Sequence, residues 1–176
     1  MKNNKGFSLV ELIIVIAIMG ILVGIMAPQL VRYLERTNVS ADIQLCDSVH
    51  TALEIALNDP DVIMATDNSF NWRNDLTTPG NDFRLDSRSG MVNCVFCERV
   101  KDQLGFDPFA NAAGNYKYMK SSPAKTEGIL CVCVNSAGNG FAVYIAHSDI
   151  TGKGNDINPI GTSYDNLEAT NVILVK

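Results

Sequence analysis

The stretch Lys5–Gly20, KGFSLVELIIVIAIMG, decides how the rest of the chain is interpreted. It opens an apolar run, in which Leu12–Val31 holds 20 consecutive residues without a charge before Arg32. At about 1.5 Å rise per residue, about 20 helical residues cross a hydrocarbon layer about 30 Å thick. The run therefore predicts a single membrane-spanning helix. Glu11 borders it, and a carboxylate in hydrocarbon is costly unless it has a partner or a role.

An ordinary secretory signal peptide explains this segment poorly. Such a signal combines a basic start, a short apolar core and a small-residue cleavage site after the core. Here the core is longer, and no clear A-x-A site follows it. Lys2 and Lys5 precede the run, so the positive-inside rule favours a cytoplasmic N-terminus, although Arg32 and Arg36 follow the run and weaken the rule. The C-terminal part of the chain is then predicted to lie outside.

Residues Lys5–Leu12, KGFSLVEL, resemble the prepilin-type (class III) processing site of type IV pilins and of the related type II secretion pseudopilins. The motif is specific: a short basic leader, Gly, Phe, a Glu four residues after the Phe, and a long apolar helix. The close resemblance is confined to the N-terminal part of the chain. Beyond it, the chain matches the family only in general architecture.

The resemblance implies roles for three residues. Residues 1–6 would be a leader peptide, and a membrane-embedded prepilin peptidase would cut between Gly6 and Phe7 and methylate the new amine of Phe7. Glu11 would become the fifth residue of the mature chain and neutralise the N-terminal amine of a neighbouring subunit. Burial of two opposite charges is tolerated when they are paired. The other implied partners are an assembly platform, its ATPase machinery and copies of the chain in a helical filament.

Helical patterning continues beyond the apolar block. Residues 7–30 are predicted to form a transmembrane and polymerisation helix, and residues 31–58 its amphipathic continuation. Asp59-Pro60 predicts the end of the helix, because the residue before proline disfavours helical geometry. The apolar stripe of the second half consists of Val31, Leu34, Ala41, Leu45, Val49, Ala52, Leu53 and Ala56.

Three residues weaken the first half of this helix. Gly20 and Gly24 have the GxxxG spacing that lets membrane helices approach closely, although helix flexibility explains them more simply. Pro28 removes a backbone hydrogen bond and is expected to kink the helix. The resemblance implies that the segment from Gly20 to Pro28 unwinds in the assembled filament.

The remaining chain predicts an α+β fold of the type IV pilin kind. Residues 59–115 are polar and lack periodicity, so they are interpreted as a long surface connection with one short helix near Cys97–Leu104. Residues 116–176 hold strand signals bounded by turn residues. The long N-terminal helix is expected to pack against the resulting small antiparallel sheet. The predicted strands are Tyr116–Met119, Gly128–Val134, Gly140–His147 and Asn171–Val175.

Five cysteines leave three alternatives open. Cys94 and Cys97 form a CxxC in the connection, and Cys131 and Cys133 lie on one face of a strand because side chains alternate. Outside the cell, disulfides between these two pairs are the default. Free buried thiols and a zinc site formed by the same four residues are the alternatives. The odd count leaves at least one thiol unpaired within the chain, and Cys46 on the helix is the candidate.

Composition and missing motifs bound the function. The net charge of −5 gives no electrostatic reason to expect nucleic acid as the main partner. No P-loop, dinucleotide fingerprint or GxSxG elbow is present, and His50, predicted to be solvated, and His147 lack metalloprotease spacing. We therefore expect no enzyme, no cofactor and no metal other than the zinc alternative.

The prediction is a pilus subunit, stored in the cell membrane and then polymerised on the cell surface for adhesion, motility or DNA uptake. A pseudopilin of a secretion or competence system is the close alternative. A membrane-anchored thiol- or metal-binding domain is the alternative from another class.

Overall fold

The structure is a computed structural model, and it describes residues 8–86, 93–109, 118–121, 124, 128–135, 137–147 and 172–173. The described chain forms four helices and four strands. In chain order they are α1 (Leu9–Leu57), α2 (Pro60–Met64), α3 (Ser69–Thr77), β1 (Asp82–Arg84), α4 (Val95–Leu104), β2 (Gly128–Val134), β3 (Phe141–His147) and β4 (Val172–Ile173).

Helix α1 has 49 residues and ends where the sequence predicts. Asp59 caps the next helix: its side chain accepts a hydrogen bond from the backbone N–H of Asp61 at 2.8 Å. Pro60 takes the first position of α2, where its missing N–H costs nothing. The chain divides into two compact units, residues 1–37 and 38–176, so α1 contributes to both.

In the first unit, the described part of α1 is apolar and exposed. Every large apolar side chain from Leu9 to Val31 is at least 50% exposed. An 18-residue window of α1 has a mean hydropathy of 2.9, and α1 is the one helix in the described residues that is long and apolar enough to cross a membrane.

The second unit, called the head below, is built around a four-stranded antiparallel sheet in the order β1-β2-β3-β4. The β2–β3 hairpin is fully paired, from Gly128 opposite His147 to Val134 opposite Phe141. The predicted strand at Tyr116–Met119 is wrong in its described part, because Tyr118 and Met119 belong to no strand. Strand β4 confirms the centre of the predicted last strand.

The head core lies between α1, the shorter helices and one face of the sheet. The apolar stripe is confirmed only in its C-terminal part, and Cys46 belongs to it. Val31 and Leu34, predicted stripe members, are 66% and 52% exposed. The buried residues of α1 are Asp42, Cys46, Val49, Ala52, Leu53 and Ala56.

The region predicted to be a surface connection holds much of the core. It contains α2, α3, β1 and α4, of which only α4 is predicted. Trp72 is fully buried; its ring stacks on Phe96 at a centroid distance of 5.6 Å and lies 4.8 Å from Phe109. This aromatic cluster fixes α3 to α4, because buried aromatic side chains contribute large contact areas.

Candidate functional site

The first turn of α1 gives Glu11 a local partner. Ser8 precedes the helix, and its backbone N–H donates a hydrogen bond to Oε2 of Glu11 at 2.8 Å. This is one half of a capping box, in which a Ser and a Glu three residues later satisfy the exposed N–H groups of a helix start. The S-x-x-E spacing in the sequence is a signal for this capping contact, whereas the charge of Glu11 alone does not predict it. Gly6 and Phe7 lie outside the described residues.

Helix α1 runs without a break through the segment predicted to unwind. Gly20, Gly24 and Pro28 are all helical, and Pro28 lies inside the helix. A Cβ atom built on Gly20 or on Gly24 would meet nothing within 4 Å. The isolated chain therefore imposes no steric need for glycine at these positions. Unwinding in a filament stays a prediction.

The structure brings Cys94 and Cys97 together. Both thiols are buried, and their Sγ atoms lie 2.8 Å apart. Cys94 occupies the N-cap of α4, where its Sγ accepts a hydrogen bond from the backbone N–H of Cys97 at 3.3 Å. The hydrogen bond between the two thiols lowers the pKa of Cys94, and the same bond together with burial raises the pKa of Cys97.

Cys131 and Cys133 lie on the other side of the sheet. The alternate residues Leu130, Val132 and Val134 belong to the core that contains Cys94 and Cys97. Side chains alternate along a strand, so the two strand thiols point away from that core. Burial raises the pKa of Cys133 to about 11 and raises that of Cys131 well above its usual value.

The opposite face of the sheet also carries a buried polar pair. The Tyr144 hydroxyl donates a hydrogen bond to Oδ1 of Asp82 at 2.8 Å. Oδ2 of Asp82 is buried without a hydrogen-bond partner among the described residues. Desolvation by burial raises the pKa of Asp82 to about 6, although the hydrogen bond from Tyr144 acts in the opposite direction.

The five cysteines form no metal site in the described part of the chain. All five are buried, and none of them forms a disulfide bond. No group of three or more His, Cys, Asp or Glu side chains that could hold a metal ion occurs among the described residues. The zinc alternative needs Cys94 and Cys97 beside the strand thiols, and the sheet separates the two pairs. Cys46 lies on α1, where burial and then Asp42 raise its pKa.

The prediction that His50 is solvated is wrong. Its Nε2 lies 3.0 Å from the backbone oxygen of Phe141, and its ring centroid lies 4.7 Å from the ring of Phe141. His50 therefore links α1 to the start of β3. His50 follows the stripe residue Val49 on α1, and a position on the flank of the stripe becomes partly buried when the end of a strand packs against it.

Comparison with known proteins gives matches to part of the chain. Residues 1–27 match the family described as the prokaryotic N-terminal methylation motif. A fimbrial protein of Pseudomonas aeruginosa is 46% identical over 57 residues, which is 32% of this chain and 37% of that protein. A type IV major fimbrial protein of Dichelobacter nodosus is 46% identical over 56 residues, or 32% and 36% of the two chains. No solved structure matches the chain significantly.

An exposed apolar helix that continues into an α+β head defines a class of subunit whose helix is buried by a membrane or by other chains. The matches agree with this class: residues 1–27 match the prokaryotic N-terminal methylation motif, and about a third of the chain is similar to fimbrial proteins. The matched stretch spans 37% of the length of the Pseudomonas aeruginosa relative.

Proposed function

We propose that this chain is the structural subunit of a type IV pilus and not an enzyme. Prepilin peptidase cleaves the chain after Gly6 and methylates the amine of Phe7, and the mature chain then polymerises into a helical surface filament. The single observation that carries the proposal is the methylation motif at residues 1–27, which includes the start of an apolar helix that the chain itself leaves uncovered. Because the relatives are fimbrial proteins, a pilus is favoured over a secretion pseudopilin.

The uncovered half of α1 supplies the driving force for assembly. Sixteen large apolar side chains between Leu9 and Val31 are exposed. Burying such a side chain contributes about 1.5–3 kcal/mol, so α1 must lie in a membrane or among copies of itself. We propose that the helix occupies these two environments one after the other. Before assembly it lies in the membrane with the head outside, and after assembly it lies in the interior of the filament. Head-to-tail contacts that do not close into a ring produce a filament.

Glu11 has two successive partners in this account. In the isolated subunit its carboxylate accepts the hydrogen bond from the Ser8 N–H. On assembly it neutralises the amine of Phe7 on a neighbouring subunit, which is made available by cleavage. The first contact needs only an acceptor oxygen, whereas the second needs a negative charge. The two roles can therefore be separated by substitution.

The remaining partners follow from the same scheme. The assembly platform and its ATPases lift the subunit from the membrane, since no nucleotide-binding motif occurs in the sequence. The filament serves adhesion, surface motility or DNA uptake. The net charge of −5 supports protein copies, and not nucleic acid, as the main partner of the subunit.

The test compares Glu11→Gln, Glu11→Ala and the control Glu54→Gln in cells that assemble the filament. Glu54 lies exposed on the head part of α1. Glutamine keeps an acceptor for the Ser8 N–H but loses the charge. We expect both Glu11 variants to be cleaved yet to yield at least tenfold fewer sheared filaments, and Glu54→Gln to assemble normally. Normal filament yield from Glu11→Gln would rule out charge pairing as the role of Glu11.

A further inference from the structure

We propose that Cys94 and Cys97 are a redox-active pair that closes a disulfide within the first turn of α4, while Cys46, Cys131 and Cys133 remain thiols. The pair is a modification site in the head, and it does not depend on whether the chain forms a filament. Its substrate class is an external disulfide, either a small molecule such as glutathione disulfide or an oxidised CxxC protein.

The geometry of the two sulfurs carries the proposal. Residues three apart in a helical turn lie on the same face, and the Sγ atoms of Cys94 and Cys97 are 2.8 Å apart. A disulfide bond is about 2.05 Å long, so closure needs a sulfur shift of less than about 1 Å. The spacing C-x-x-C at a helix start is also the arrangement found in disulfide oxidoreductases.

The start of α4 is held in place from outside the helix. The backbone N–H of Val95 donates to Oδ2 of Asp67 at 2.8 Å, and that of Phe96 donates to Oγ of Ser69 at 3.0 Å. Asp67 also accepts the N–H of Ser69 at 2.8 Å, so the two acceptors are fixed to each other. These three hydrogen bonds hold the first turn of α4, and therefore the two sulfurs, at a fixed position relative to the start of α3.

The same turn distinguishes the roles of the two thiols. Sγ of Cys94 accepts a hydrogen bond from the backbone N–H of Cys97, which stabilises its thiolate, and the Cys97 thiol lies within hydrogen-bond distance of the same sulfur. The N-terminal end of a helix favours negative charge in the same way. The pKa of Cys94 is lowered accordingly, whereas that of Cys97 is raised. Cys94 is therefore the attacking sulfur and Cys97 the resolving one.

The two strand cysteines have no disulfide partner at bonding distance within β2 or on β3. Two residues apart on a strand, Cys131 and Cys133 have Cβ atoms roughly 6.6 Å apart, whereas a disulfide needs about 3.5–4.5 Å. Across the sheet, Cys131 pairs with Tyr144 and Cys133 with Ala142, so no thiol faces them from β3. Burial raises the pKa of Cys46, Cys131 and Cys133, which disfavours the reactive thiolate.

The exchange reaction balances in two steps. The Cys94 thiolate attacks one sulfur of the external disulfide, forming a mixed disulfide and releasing one thiolate. The Cys97 thiol then loses its proton and attacks Sγ of Cys94, which releases the second thiolate. Two protons, one from each protein thiol, end on the two released thiols, so the external disulfide is reduced by two electrons and the protein pair is oxidised by two.

Tryptic peptide mapping tests the proposal, because the three cysteine groups fall in separate peptides. Cys94 and Cys97 share the peptide 89–99, Cys46 lies in 37–73, and the strand thiols lie in 126–153. The full chain in detergent is reduced, exposed to glutathione disulfide, denatured, alkylated and digested. We expect peptide 89–99 to be lighter by two hydrogen atoms and unalkylated, and the other two peptides to be fully alkylated. Alkylated 89–99, or a disulfide joining two of these peptides, would overturn the assignment.

Two matched variants test the order of the steps. Cys97→Ser removes the resolving thiol, so glutathione is expected to stay attached to Cys94. Cys133→Ser removes a buried thiol on the other face of the sheet and is expected to leave oxidation of peptide 89–99 unchanged. Glutathione on no residue of Cys97→Ser, with the wild-type peptide still oxidised, would show that Cys94 is not the attacking sulfur.

Discussion

Replacing Asp42 with alanine is expected to destabilise the head strongly. Asp42 lies on α1, is fully buried and accepts three hydrogen bonds from the segment that follows Met119. Its Oδ1 accepts the backbone N–H of Lys120 at 2.7 Å, and its Oδ2 accepts the backbone N–H of Ser121 at 2.9 Å and the Ser121 hydroxyl. One carboxylate thus fixes the segment before β2 to the helix.

The size of the effect follows from these three contacts. A hydrogen bond to a charged group contributes about 1.5–3 kcal/mol, and a buried donor left unpaired costs about 1–3 kcal/mol. Removal of the charge also relieves its own desolvation cost, so the sum is an upper bound. We expect Asp42→Ala to lower the free energy of unfolding by about 3–5 kcal/mol. Ser121→Ala loses one of the three bonds and is expected to cost about 1–2 kcal/mol.

The assay uses the single tryptophan of the chain. Trp72 is fully buried in the head, so its fluorescence reports unfolding of the head during urea titration of the full chain in detergent. Asp47→Ala is the control, because Asp47 is an exposed acid on the same helix; we expect it to change stability by less than about 0.5 kcal/mol. Equal losses from Asp42→Ala and Asp47→Ala would refute the role assigned to the buried carboxylate.

Two further predictions concern the sheet and its hairpin. Burial raises the pKa of Asp82 to about 6 from 3.8, so its contribution to stability is full below about pH 4 and is lost as the pH rises through about 6. The free energy of unfolding should fall by about 1–2 kcal/mol over that pH range, after allowance for partial exposure of the carboxyl group. If Asp82→Asn showed the same pH dependence of stability as the wild type, this role of Asp82 would be wrong. Gly138 and Gly80 both have φ of 69°, but only at Gly138 would a Cβ atom meet the backbone oxygen of Thr77, at 2.6 Å. Gly138→Ala should therefore lower the melting temperature more than Gly80→Ala, and equal shifts would exclude the steric contact.

The helices and strands that could be predicted are those with a local signal. Asp59-Pro60 ends α1 because capping and proline geometry act within a few residues. The β2–β3 hairpin follows from two β-rich runs separated by small and polar residues. Helix α3 and strand β1 carry no such signal: α3 is polar except for Phe70, Trp72 and Leu76, and β1 has three residues that need β2 as a partner.

Much of the site depends on contacts between residues that are far apart in the sequence, and helical or strand periodicity does not predict such contacts. Asp42 occupies a buried position four residues before Cys46 on the core side of α1, so a polar residue in the apolar stripe is a signal that could have identified it. The separation of the CxxC from the strand thiols follows from which face of β2 meets the core. Every residue of β2 is buried, and a strand buried on both faces gives no alternation to orient it.

Cleavage after Gly6 and assembly into a filament define the proposed function. Mass spectrometry of the N-terminal peptide of subunits from sheared surface filaments tests both events. We expect abundant filaments whose subunit begins at Phe7 and carries a methyl group on its amine. A surface-exposed chain that retains Met1 through Gly6 and forms no filament would contradict it.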